Sequence, residues 1–208
     1  SDKPDAHDFA LLKELVLSDG SVLRARGVGL PTRDCLFADP LEDDALLKVF
    51  NHNEGSAVLG LFNARYREQG GEIAGSFSPS DVPDLPDGEF AVYLSRSCKL
   101  LRVTKNERIP LTLGALESEV ATIVPLEQGL AVIGLSDKLN SGGAISERAW
   151  SESKYTFRVR DGGALLAYSE RLPTRIKVDG QALTFEYDEG RLSFRVEKAG
   201  ASRVEIEF

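Results

Sequence analysis

RIKVDGQALTFEYDEGRLSFRVE, residues 175–197, decides the fold class of this 208-residue chain. Val178-Asp179-Gly180-Gln181 and Tyr187-Asp188-Glu189-Gly190-Arg191 read as hairpin turns, in which glycine supplies the positive φ that a tight turn demands. After the second turn, Phe194 and Val196 alternate with Ser193, Arg195 and Glu197. That period of two gives a strand with one packed face and one wet face.

Upstream, the same grammar repeats. LLKVFN, AVLGLFN, EIAGSF, EFAVYLS, KLLRVT, EVATIVPL and LAVIGL follow one another from Ala45 onward. AISERAW, KYTFRVR, ALLAYSE, RIKVD, QALTFEYD, RLSFRVE and SRVEIEF continue to the end. Each run is short, rich in Val, Ile, Leu, Phe and Tyr, and bounded by Gly, Asp, Asn or Pro. That spacing predicts an antiparallel β-sandwich over residues 45–208.

Residues 1–44 read differently. Asp8 to Leu17 predicts an amphipathic helix in which Phe9, Leu12, Leu15 and Val16 recur at helical spacing. Asp5 or Asp8 is placed to cap it, and Asp19-Gly20 to end it. Such a stripe must be buried against something. Because almost everything after it reads as β, its expected partner lies upstream, and the chain, which contains no Met, is expected to be the tail of a larger protein. A Gly- and Pro-containing connection, Gly27 to Asp34, leads to the acidic run Glu42-Asp43-Asp44, read as a surface linker.

Composition excludes several classes. With 33 acidic against 25 basic side chains and a net charge of −8, no basic surface for nucleic acid is expected. No stretch of about 18 apolar residues exists to span a bilayer as a helix. Cys35 and Cys98 form no disulfide framework; a bridge between them stays open, but two buried free thiols is the reading adopted. Two histidines, His7 and His52, and no close cysteine pair leave no zinc set.

Chemical motifs are equally sparse. Gly27-Val28-Gly29 lacks the third glycine and the following helix of a dinucleotide loop. Asn140-Ser141-Gly142-Gly143-Ala144 reads as a tight turn with no room for Cβ atoms. Asp81, Asp84 and Asp87 recur too widely, and among too many prolines, for a calcium loop. No Gly-x-Ser-x-Gly elbow occurs. Glycoside cleavage needs only two carboxylates, about 5–5.5 Å apart in retaining enzymes, and the abundance of acids here selects none. Trp150, Tyr155, Phe157 and Tyr168 are the candidates for an aromatic sugar platform, with core packing as the rival role.

Several segments together resemble the raffinose synthase and seed imbibition protein group, plant-type relatives of glycoside hydrolase family 36. SDKP with His7 and FALLK, then LVLSDGSVLRAR and PTRDCLFADP (Pro31 to Pro40), carry the likeness. LLKVFN, VLGLFN, SPSDV, FAVYL and IGLSDKLNSGGAI follow in the family's order. Leu30, where the family usually has Arg, and His52-Asn53-Glu54-Gly55, in place of a Lys-containing loop, depart from its pattern.

The resemblance implies a mainly β fold: an antiparallel β-sandwich C-terminal domain preceded by the last helix of a catalytic (β/α)8 barrel. Residues 1–44 would be the barrel end and linker, and 45–208 the sandwich. It implies an α-galactoside substrate and retaining chemistry through two aspartates outside this chain, with no catalytic residue, metal or cofactor within it. The remaining barrel is the implied partner, and a cytoplasmic rather than secreted setting follows from the likeness. Because barrel active sites sit at the C-terminal strand ends, Ser1 and Asp2 are the implied substrate-binding residues. The rival reading is a non-catalytic carbohydrate-binding β-sandwich module, which requires coplanar exposed aromatics.

Overall fold

The structure, a computed structural model, describes residues 7–65 and 71–208. Its one α-helix among these residues, α1 (Phe9–Leu15), is capped by Asp8, whose side chain accepts from the Ala10 and Leu11 amides at 3.0 and 3.1 Å. The helix stops earlier than its apolar pattern suggests. Val16 turns extended and bridges Val22, and Leu17 is drawn into the protein core with Leu23. Asp19-Gly20 is thus the tip of a tight return, not the helix end.

The rest is antiparallel sheet, as expected. A six-stranded sheet runs β1 (Leu30–Pro31), β2 (Leu47–Asn53), β3 (Ser56–Phe62), β8 (Ser118–Pro125), β5 (Glu89–Leu94), β6 (Lys99–Thr104). β4 (Ile73–Phe77) pairs with β7 (Ile109–Leu113) from Ile73↔Leu113 to Phe77↔Ile109. A four-stranded sheet runs β15 (Glu186–Asp188), β16 (Arg191–Val196), β12 (Gly163–Ser169), β9 (Leu130–Leu135). A five-stranded sheet runs β10 (Ile145–Ser151), β11 (Lys154–Val159), β17 (Ser202–Glu207), β13 (Arg175–Val178), β14 (Gln181–Leu183).

The side-chain parity of the strands stacks these sheets in four layers. Phe90, Val92 and Leu94 of β5 join Ile73 and Phe77 of β4 in one core. Ala91 and Tyr93, on the opposite face of β5, meet Ala131 and Ile133 of β9. Leu130 and Val132, facing the other way, join Phe157, Ile176 and Val204 in the core beneath the five-stranded sheet. The sandwich is therefore doubled, with the six- and four-stranded sheets back to back. Strands buried on both faces lose the polar alternation of a half-wet strand, which is why EFAVYL and LAVIGL are nearly continuous apolar runs.

Both hairpin turns of the quoted stretch are present, with positive φ at Asp179-Gly180 and Glu189-Gly190. QALTFEYD, read as a single strand, is two: β14 and β15 belong to different sheets, and the chain crosses between layers at Thr184-Phe185. β7 was not expected, because Pro110 interrupts its pattern.

Candidate functional site

The two segments most specific to the family likeness are joints of the fold. In PTRDC, Thr32 donates its amide to the Lys48 carbonyl at 2.9 Å, and Cys35 Sγ lies 3.3 Å from the Lys48 amide that donates to it. The Lys48 side chain is buried, 2% exposed, with Nζ 2.6 Å from Asp34 and 2.7 Å from Asp81. Asp81 also takes Arg108 Nη1 at 2.9 Å. Burial works to raise the Asp34 carboxyl, but the Lys48 ammonium and the Thr32 hydroxyl outweigh it and hold the group below its usual value. A buried ammonium is costly unless paired, so Lys48 fixes the connecting segment to the six-stranded sheet.

The NSGG turn is the second joint. Asn53 Nδ2 donates to Asn140 Oδ1 at 2.8 Å, and Asn140 Nδ2 donates to the Leu23 carbonyl at 3.3 Å. A Cβ at Gly142 would stand 2.4 Å from Ser56 Oγ, and one at Gly134, where φ is +118°, would stand 2.0 Å from the Ser141 carbonyl oxygen. The expectation of a turn without room for Cβ atoms holds, and its reason is visible: β3, β9 and the N-terminal segment converge on it.

A third joint, not anticipated from the sequence, is Asp161. Its carboxylate accepts from the Ser18 amide and hydroxyl, the latter at 2.7 Å, and from the Gly162 and Gly200 amides at 2.9 Å each. Burial alone would raise this carboxyl; the Ser18 hydroxyl and the three amides prevail and lower it to about 2.

Two carboxylates of the proline-rich loop serve as ion-pair partners too. Asp81 is held by Lys48 and Arg108, and Asp87 by Lys105 at 2.8 Å. Among the described residues, no group of three or more His, Cys, Asp or Glu is placed to hold a metal, and no helix is long and apolar enough to cross a membrane. The aromatic platform does not assemble. Trp150 packs on Tyr155 at 4.9 Å and on Phe208 at 6.0 Å between ring centres. Tyr155 and Phe157 are core of the outer sandwich, whereas Tyr168 lies against the interface between the two sandwiches. A carbohydrate-binding face built on these four residues is not supported.

Both cysteines are unpaired, but the expectation that they are buried is corrected: Cys35 is half-buried and Cys98 exposed. Cys98 sits with positive φ in the exposed turn after β5.

Beside the start of α1 lies a cleft of about 410 Å³ that includes Asp8, Glu14, Arg96, Asp137 and Lys138 in its lining. Two of these groups are spent on holding the helix: Asp8 caps it, and Lys138 Nζ donates to the Lys13 carbonyl at 2.6 Å. Ser1 and Asp2, the expected substrate-binding residues, lie outside the described residues.

The sequence comparisons find relatives over nearly the whole chain. The family model described as raffinose synthase or seed imbibition protein Sip1 matches residues 1–196. A galactinol–sucrose galactosyltransferase of Oryza sativa subsp. japonica is 35% identical over 98% of this chain and 30% of its own length. A probable galactinol–sucrose galactosyltransferase 6 of Arabidopsis thaliana is 35% identical over 95% of this chain and 31% of its own. Stachyose synthase of Pisum sativum is 31% identical over 100% of this chain and 28% of its own. A solved structure in complex with neoagarooctaose aligns over 80% of this chain and 31% of its own, with 11% identity and a TM-score of 0.22, and carries no argument. The chain spans about 30% of the length of the relatives it matches. With its motifs in order and its match running from residue 1 to 196, the chain belongs to the raffinose synthase and seed imbibition protein family.

Proposed function

We propose that this chain is the C-terminal, β-rich part of an α-galactoside-processing enzyme, and that its role is to support a catalytic (β/α)8 barrel lying upstream. Residues 1–44 belong with the barrel and its linker in this reading, and 45–208 form the supporting domain. The enzyme moves galactosyl groups, with galactinol as donor and sucrose as acceptor, or hydrolyses α-galactosides. Its mechanism is retaining double displacement through two upstream aspartates, with no metal or cofactor.

The observation that carries the reading is the orientation of α1. No residue of the helix is buried, and Phe9, Leu11, Leu12 and Leu15 are all exposed. Meanwhile its Lys13 and Glu14 carbonyls are tied to the Lys138 side chain and the Leu139 amide. A helix held to its own domain through backbone groups, with its apolar stripe turned away, is shaped to complete another body. In this reading Ser1 and Asp2 are the residues of this chain assigned to substrate binding.

The test is a transfer assay on the full-length parent with galactinol and sucrose, beside Asp2→Asn in that protein. Raffinose formation with a raised KM in the variant supports the reading. A parent that leaves both galactinol and simple α-galactosides untouched overturns it.

A further inference from the structure

Large apolar side chains are unevenly exposed along this chain. Between α1 and residue 28 only Val22 of these is exposed, whereas the segment 28–41 exposes Val28, Leu30, Leu36, Phe37 and Leu41. From residue 42 to the end, only Phe62, Leu116 and Leu172 do so among the described residues. Scattered single cases are ordinary on any surface, whereas five within one short segment mark an interaction site.

The segment is also rigidly seated. Leu30 and Pro31 pair with Phe50 and Val49 of β2. The Cys35 amide donates to the Thr32 carbonyl at 3.0 Å, and Asp34 is clamped by the buried Lys48. A loop that is fixed by its polar groups while its apolar ones face outward loses little conformational entropy on docking.

We infer that residues 28–41 form a second docking surface, separate from α1, whose occupant is the upstream part of the same polypeptide. The inference rests on the proposed function, which supplies that upstream part. Two facts favour this occupant over a second copy of the chain. The relatives carry more than two thirds of their length outside the matched region. A tethered partner is also present at an effective concentration of roughly millimolar, far above that of a free second copy. On this account Thr32, Asp34, Cys35 and Lys48 set the angle at which the supporting domain meets the barrel.

Phe37 and Leu116 offer a matched pair, each 85% exposed in this chain. The experiment introduces Phe37→Cys, Leu116→Cys and Leu12→Cys singly into the full-length parent. Native-state labelling by a maleimide is then followed by peptide mass spectrometry, so that Cys35 and Cys98 are tracked separately. Labelling at position 37 at least 100-fold slower than at 116, unchanged on dilution, is the expected result. Equal rates at 37 and 116 overturn the inference, and slow labelling that vanishes on dilution overturns it in favour of a second copy. Fast labelling at 37 with slow labelling at 12 removes this surface and leaves the proposed function standing, while fast labelling at 12 removes that reading itself. Val28→Cys, at a position 77% exposed, repeats the test should Phe37→Cys fold poorly.

Discussion

Strand β9 and the segment from Phe9 to Leu41 have similar appetites for apolar residues and opposite geometries. In β9, Leu130 and Val132 face one core and Ala131 and Ile133 another, so every side chain of the strand is buried. Between Phe9 and Leu41, only Leu17 and Leu23 among the large apolar residues reach the core. The difference teaches that the N-terminal segment is held to the sheets mainly by polar joints, with Lys48 on Asp34, Asp161 on Ser18 and Asn140 of the NSGG turn on the Leu23 carbonyl.

The comparison breaks most severely at the NSGG joint. Gly134→Val sets a branched side chain against the Ser141 carbonyl at a positive φ, a backbone clash with an expected cost above about 4 kcal/mol. Loss of soluble folded protein is the expected readout, whereas Gly180→Ala, with open space around it, should cost only about 1 kcal/mol.

Lys48→Met comes next. It leaves Asp34 and Asp81 without their shared cation, although Arg108 still serves Asp81. We expect a loss of about 3 kcal/mol in urea unfolding, reduced when Asp34→Asn is added, because the two positions are coupled.

Asp161→Ala removes the acceptor shared by Ser18, Gly162 and Gly200, with a cost of about 1–2 kcal/mol because these donors are partly solvated. Its pH signature has a definite sign. The folded carboxyl titrates near 2, below its ordinary 3.8, so its stabilisation is fully present above about pH 4 and fades as pH falls through 2. Asp161→Asn should flatten that part of the stability–pH curve, as read by unfolding at stepped pH.

The smallest effect on folding is expected from Phe9→Ser with Leu12→Ser. Both side chains are exposed, so the unfolding free energy of the chain should move by less than about 0.5 kcal/mol. Self-association in light scattering should nevertheless fall, because the apolar stripe is gone.

The hairpins at Asp179-Gly180 and Glu189-Gly190 were legible in the sequence because turn chemistry is local. The strand series was legible because its period survives burial. The crossing at Thr184-Phe185 was not, since a change of sheet leaves no local mark and QALTFEYD alternates well enough for one strand. Helix α1 was placed correctly at Asp8 and run too far at its end, because the pull of the core on Leu17 is a tertiary effect. Lys48 gave only a faint signal, a charge within an apolar run; its partners Asp34 and Asp81 lie 14 and 33 residues away. Of the expected site, Ser1 and Asp2 came only through the family likeness, and no pattern in the residues themselves selects them.

The central claim is that this chain supports catalysis without performing it. Its most direct test is turnover of an activated aryl α-galactoside by the purified 208-residue chain. Because loss of either catalytic carboxylate removes most of the rate in such enzymes, the account predicts no release of the aryl group above the buffer rate. Turnover that survives repurification and is abolished by replacing one of the chain's own acids, such as Asp137→Asn, would contradict it.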